Sequence, residues 1–92
     1  MLESKIQSKI IKRLEEQGFF VVKLIKTNKN GIMDLLAVKR ERTIFVEVKQ
    51  EQGKLSEIQR FRINELRAKG IEVYVWIEFN KNFDKLDKYN YE

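Results

Sequence analysis

The 92-residue chain carries 19 Lys and Arg against 14 Asp and Glu, a net charge of +5, and contains no Cys, His or Pro. One domain with one modest core is the expectation at this length, and the basic excess points to a polyanionic partner. Without Cys or His there is no disulfide framework, no Cys-based zinc site and no Ser-His or Cys-His pair, so catalysis must use carboxylates, Lys, Tyr, Ser or a hard metal held by oxygen.

Residues 4–17 read as a helix, because Ile6, Ile10, Ile11 and Leu14 recur at helical spacing. Ser4-Lys5-Ile6-Gln7 has the capping-box form, which makes Ser4 the expected N-cap, and Gly18 sits where a C-terminal glycine belongs. Residues 19–25 read as a strand rich in β-branched and aromatic side chains, with Phe19, Phe20 and Phe45 assigned to the core. Asn28, Asn30 and Gly31 mark a turn. Residues 34–38 form a second strand, Lys39-Arg40-Glu41-Arg42 a charged hairpin connection, and residues 43–49 a third strand. Ser56-Glu57-Ile58-Gln59 is a second capping box and opens a helix whose expected apolar arc is Ile58, Phe61 and Leu66. Gly70 ends that helix, and Ile71, Val73, Val75 and Ile77 alternate with Glu72, Tyr74 and Trp76 in a last strand, the two aromatics expected beneath a helix. Residues 80–92 read as a polar tail or a short helix.

The order αβββαβ predicts an α/β fold. A helix between the third and fourth strands implies a crossover, hence a mixed sheet flanked by helices. No repeat or linker interrupts it. The longest apolar-rich run, 19–25, contains Lys23 and is far shorter than the ~18 residues of a membrane span. The start of the chain lacks the apolar stretch of a signal peptide, so a cytoplasmic protein without membrane attachment is expected. Residues 1–69 carry +7 and residues 70–92 carry −2, so the basic field lies in the part that holds the candidate site.

That site centres on Glu47 and Lys49. At i and i+2 of a strand they share a face, while Ile44, Val46 and Val48 share the other. Asp34 opens the neighbouring strand, so at the ~5 Å strand spacing two carboxylates meet. Two acids that close repel unless a cation lies between them, and an all-oxygen site suits Mg²⁺ or Mn²⁺. With Lys49 beside it, the set is suited to hydrolysing a phosphodiester. A surface ion pair is the competing reading of Glu-Val-Lys alone.

Gly31-Ile32-Met33-Asp34-Leu35-Leu36-Ala37, Phe45-Val46-Glu47-Val48-Lys49, and Gly53-Lys54-Leu55-Ser56 with Gln59 together resemble the virus-type replication-repair nuclease (VRR-NUC) domain of the PD-(D/E)xK superfamily. The resemblance runs from about Glu3 to Trp76. It implies a restriction-endonuclease-like core. Asp34, Glu47, the Val48 carbonyl and Glu3 would serve the metal, Lys49 would be the catalytic lysine, and Gln59 would join from the second helix. Glu3 and Gln59 also have plain readings, as a carboxylate favoured by the helix dipole and as part of a capping box. The family usually has Pro where this chain has Met33. Lys5, Lys9, Lys54 and Arg60 are the expected phosphate-backbone contacts. By resemblance to stand-alone, phage-like members, the expected activity is Mg²⁺-dependent resolution of branched double-stranded DNA at four-way junctions, by a homodimer without an organic cofactor, in a host cytoplasm if viral. The first strand, or the tail around Phe83 and Tyr89, is the candidate dimer surface. A related nuclease of flapped or linear DNA, and an inactive basic DNA-binding module, are the alternatives.

Overall fold

The computed structural model describes residues 2–50 and 54–77. Its elements are α1 (Glu3–Glu16), β1 (Phe20–Lys23), β2 (Leu35–Lys39), β3 (Arg42–Lys49), α2 (Glu57–Ala68) and β4 (Glu72–Ile77). The order is the one read from sequence, with ends shifted by one or two residues. Gly53, Phe83, Tyr89 and the expected tail lie outside the described residues.

The strands lie in the order β1-β2-β3-β4. The first two pairings are antiparallel and β3 runs parallel to β4. Antiparallel neighbours need only a turn, and Arg40-Glu41 supplies one between paired Lys39 and Arg42. Glu41 takes a left-handed φ of 58° there, a conformation that favours glycine. The parallel pair needs a crossover, and α2 provides it.

Each face of the sheet carries its own apolar layer. Ile6, Ile10 and Leu14 of α1 pack on Leu35, Ala37, Ile44, Val46, Val48, Tyr74 and Trp76. Met33, Ile63, Val73 and Val75 form the second layer, with Phe45, Leu55 and Leu66 against it. Tyr74 and Trp76 are thus buried on the α1 side, as the alternation in β4 predicts.

Three expectations are corrected. Ser4 is not the first N-cap. The helix starts at Glu3 with Leu2 as cap and no side-chain bond, the Leu2 carbonyl accepting from Lys5 and Ile6 N–H. This start puts the Glu3 carboxylate in the first turn, where the helix dipole favours it. Ile58 and Phe61 are 41% and 55% exposed, and Ile63 is the buried residue of α2. Gln59 and Ile63 lie one turn apart, and this polar-then-apolar stripe faces the sheet in place of the expected arc. Phe20 is 71% exposed, whereas Phe19 is buried and Phe45 half-buried. Phe20 is paired with Val38, on the half of the α2-side face that α2, packed on β4, leaves uncovered.

Candidate active site

The polar stripe of β3 meets the start of β2 and the start of α2 at one point. Glu47 belongs there because residues of one strand alternate between faces: Val46 and Val48 turn into the α1 layer, and Glu47 turns toward α2. It is 2% exposed and is the buried charged residue among those described. Gln59 Nε2 donates to Glu47 Oε2 at 3.0 Å, and Lys49 Nζ lies 3.5 Å from the same oxygen. Glu47 Oε1 is buried with no hydrogen-bond partner.

Asp34 stands just before β2. Its Oδ2 accepts the Val48 N–H at 2.8 Å, so the side chain continues the β2–β3 ladder where backbone pairing stops. This bond places the carboxylate beside β3, next to Glu47. Met33, at the position where the resemblance expects proline, is fully buried against the second layer. A packed side chain holds the entry to Asp34 where a ring would otherwise stiffen it.

Both acids are held above the ordinary carboxylate range, chiefly by burial. Burial, and then the charge of Asp34, push the Glu47 carboxyl up to about 8, against the opposing pull of Lys49. Burial also raises Asp34, although the Val48 N–H, Lys49, the Glu47 side chain and Lys23 act the other way. A pair of half-desolvated acids with one orphaned oxygen is what a hard cation relieves. Hard oxygen donors with no His or Cys fit Mg²⁺ or Mn²⁺.

Of the expected ligand set, the structure brings Asp34, Glu47 and Val48 together. Glu3 is near enough for its charge to raise Glu47. No group of three His, Cys, Asp or Glu side chains close enough to hold a metal occurs among the described residues, so Glu3 stands outside the carboxylate pair. Gln59 both caps α2 and reaches Glu47. Its Oε1 accepts the Ser56 N–H at 2.9 Å and the Ser56 hydroxyl accepts the Gln59 N–H, while its Nε2 holds Glu47. Lys5, Lys9, Lys54 and Arg60 are exposed. Lys9 lines a groove of about 320 Å³ with Lys12, Arg13 and Glu16, well over a turn along α1 from Glu3.

A four-stranded mixed sheet between helices, with an acid entering the second strand and Glu-x-Lys on the third, is the core of a PD-(D/E)xK nuclease. The VRR-NUC domain model matches residues 2–76, and the chain belongs to the VRR-NUC family. A solved VRR-NUC domain superposes with a TM-score of 0.79 at 33% identity, over 97% of this chain and 97% of that one. Archaeoglobus fulgidus Hjc, a Holliday junction resolvase from an archaeal hyperthermophile, is similar in fold. Its TM-score is 0.59 at 20% identity, over 76% of this chain and 64% of Hjc. No curated protein matches the chain.

Proposed function

We propose that the chain is a metal-dependent endodeoxyribonuclease that resolves four-way DNA junctions as a homodimer. The observation that carries the nuclease reading is half-buried Asp34 beside buried Glu47, with an unpartnered Glu47 oxygen and a lysine 3.5 Å from the other. Asp34, Glu47 and the Val48 carbonyl would hold Mg²⁺ or Mn²⁺, with Glu3 reaching the ion or its waters. Once bound, such an ion lowers the pKa of water and neutralises charge on a phosphate oxygen. Lys49 places an ammonium next to the scissile phosphate, where it orients the attacking water and offsets negative charge gathering on the phosphoryl oxygens. Gln59 keeps Glu47 turned so that its other oxygen stays available. Exposed Lys5, Lys9, Lys54 and Arg60 follow the DNA backbone.

The preference for junctions is supported by the fold likeness to a resolvase and by scale. Two symmetric nicks call for two sites related by a two-fold axis. The uncovered half of the sheet, with Phe20, Val22 and Val38 on one face, is an exposed apolar patch that such a dimer would bury.

The test is cleavage of a labelled four-way junction and a matched linear duplex with Mg²⁺, Mn²⁺ or EDTA, alongside Lys49→Ala and Glu47→Ala. Paired metal-dependent nicks near the branch point, absent from both variants and from the linear control, are expected. Cutting of flapped or linear DNA would keep the site and discard the resolvase. DNA binding without cleavage in either metal would leave a basic DNA-binding module.

A further inference from the structure

Asp34 stands at the end of the long connection between β1 and β2, the kind of segment in which backbones have most freedom. This connection is held at three points just before Asp34, and all three holds come from α2. Arg62 Nε donates to the Asn30 carbonyl at 2.7 Å. Gly31 follows with φ +76° and lies so close to α2 that a Cβ there would stand 2.8 Å from the Ile58 carbonyl oxygen. Met33 then packs with Ile63. On the same helix, Gln59 holds Glu47. One helix therefore indexes both acids: β3 directly through Gln59, and the entry to Asp34 through Arg62, Ile58 and Ile63.

We propose that Arg62 is a positioning residue for cleavage: by clamping the Asn30 carbonyl to α2, it sets where Asp34 stands relative to Glu47. The proposal rests on the nuclease reading of those two acids. The competing role for an arginine on a nuclease is a phosphate contact. Against that, the Arg62 side chain is 17% exposed and its charge is matched by Glu65 at 2.9 Å. Its guanidinium also lies 5.3 Å from the Phe61 ring centre. Its Nε and Nη1 are engaged by groups of the protein itself, and a planar fork ordered by three neighbours is suited to fixing a carbonyl.

The readout that isolates this role is hydrogen exchange of the Val48 N–H in metal-free protein, because that amide reports its bond to Asp34 Oδ2. In Arg62→Ala, Val48 exchange is expected to quicken about tenfold while the amides of Ile44 and Val75 keep wild-type rates. Mn²⁺ affinity is expected to fall about tenfold. The rate constant for junction cleavage is expected to fall with KM for DNA unchanged, and Arg62→Lys, which keeps a donor for Asn30, to recover part of each loss. Wild-type exchange at Val48, or a higher KM with intact turnover, would overturn the proposal and make Arg62 a DNA contact. Equal quickening at Val48, Ile44 and Val75 would also overturn it, as general loosening. Should Arg62→Ala not fold, Arg62→Lys and Arg62→Gln carry the same three readouts. If wild-type protein cleaves no DNA, the nuclease reading fails while the exchange experiment still decides whether Arg62 places Asp34.

Discussion

Gln59 and Glu47 share a 3.0 Å hydrogen bond that ties the capped first turn of a helix to the buried acid of a strand. The same glutamine therefore has two duties that substitution can separate. Gln59→Glu keeps an acceptor for the Ser56 N–H but loses the donor to Glu47 and sets a third carboxylate beside the pair. It is expected to lower cleavage at least tenfold, a loss of about 1.4 kcal/mol in transition-state stabilisation. Gln59→Ala loses both bonds and is expected to cost about 1–2 kcal/mol of stability as well. Chemical denaturation and cleavage assays on the two variants check this; equal activity in wild type and Gln59→Glu would leave Gln59 as a cap alone.

Stability of the metal-free protein depends on Glu47. Its folded-state pKa, about 8, lies above the ordinary 4.5, so between those values the folded protein holds a proton that the unfolded chain has released. The contribution is intact below the lower value and gone above the upper one. Stability is expected to fall with rising pH through that window, by up to about 1.4 kcal/mol per pH unit. Glu47→Gln is expected to flatten the slope. Urea titrations from pH 5 to 9 measure it, and parallel slopes for the two proteins would contradict the assignment.

The same proton links metal to pH. A cation bound between Asp34 and Glu47 must displace it, so Mn²⁺ affinity is expected to rise up to tenfold per pH unit until about pH 8. Calorimetry at pH 7 in buffers of different ionisation enthalpy is expected to show release of about one proton. Release of none would place the ion elsewhere.

Met33 holds the entry to Asp34 by burial. Met33→Ala leaves a cavity in a small layer and is expected to cost about 2–4 kcal/mol. Met33→Leu, nearly conserving volume, is expected to cost less than about 1.5 kcal/mol and retain cleavage. Thermal melts and cleavage rates of both decide it, and a harmless alanine would show that packing there does not matter.

Phe20 projects from an edge strand, 71% exposed, beside Val22 and Val38. Sedimentation of the wild type at micromolar concentration is expected to show a dimer, and Phe20→Glu a folded monomer that binds one DNA arm but makes no paired nicks. A wild type that sediments only as an 11.1 kDa species would refute the dimer.

Much of this was legible in the chain because the signals are local. Alternation in β3 separates Glu47 from Val46 and Val48, and Ser56 with Gln59 announces α2. The errors share one cause: an apolar pattern shows that a face can be buried, not what is available to bury it. Phe20 has the form of a core residue, but the second helix packs on the other half of the sheet. Ile58 and Phe61 fit a helical arc, yet Gln59 and Ile63 set the rotation of α2 because Glu47 needs a partner. Ser4 has the spacing of a cap, but the chain enters the helix two residues earlier at Leu2. Arg62 left no trace, since its partner is a backbone carbonyl 32 residues upstream, and a carbonyl has no letter in the sequence.

The two layers of this protein are unequal. Among the described residues, the α1 side buries eleven apolar side chains and the α2 side four, so α2 holds to the sheet by the thinner contact. The holds on both acids nevertheless pass through α2. On warming, α2 is expected to loosen first, and with it the spacing of the carboxylates. Cleavage is then expected to stop several degrees below the melting temperature and to return on cooling, as a reversible thermal inactivation in a chain that is still folded.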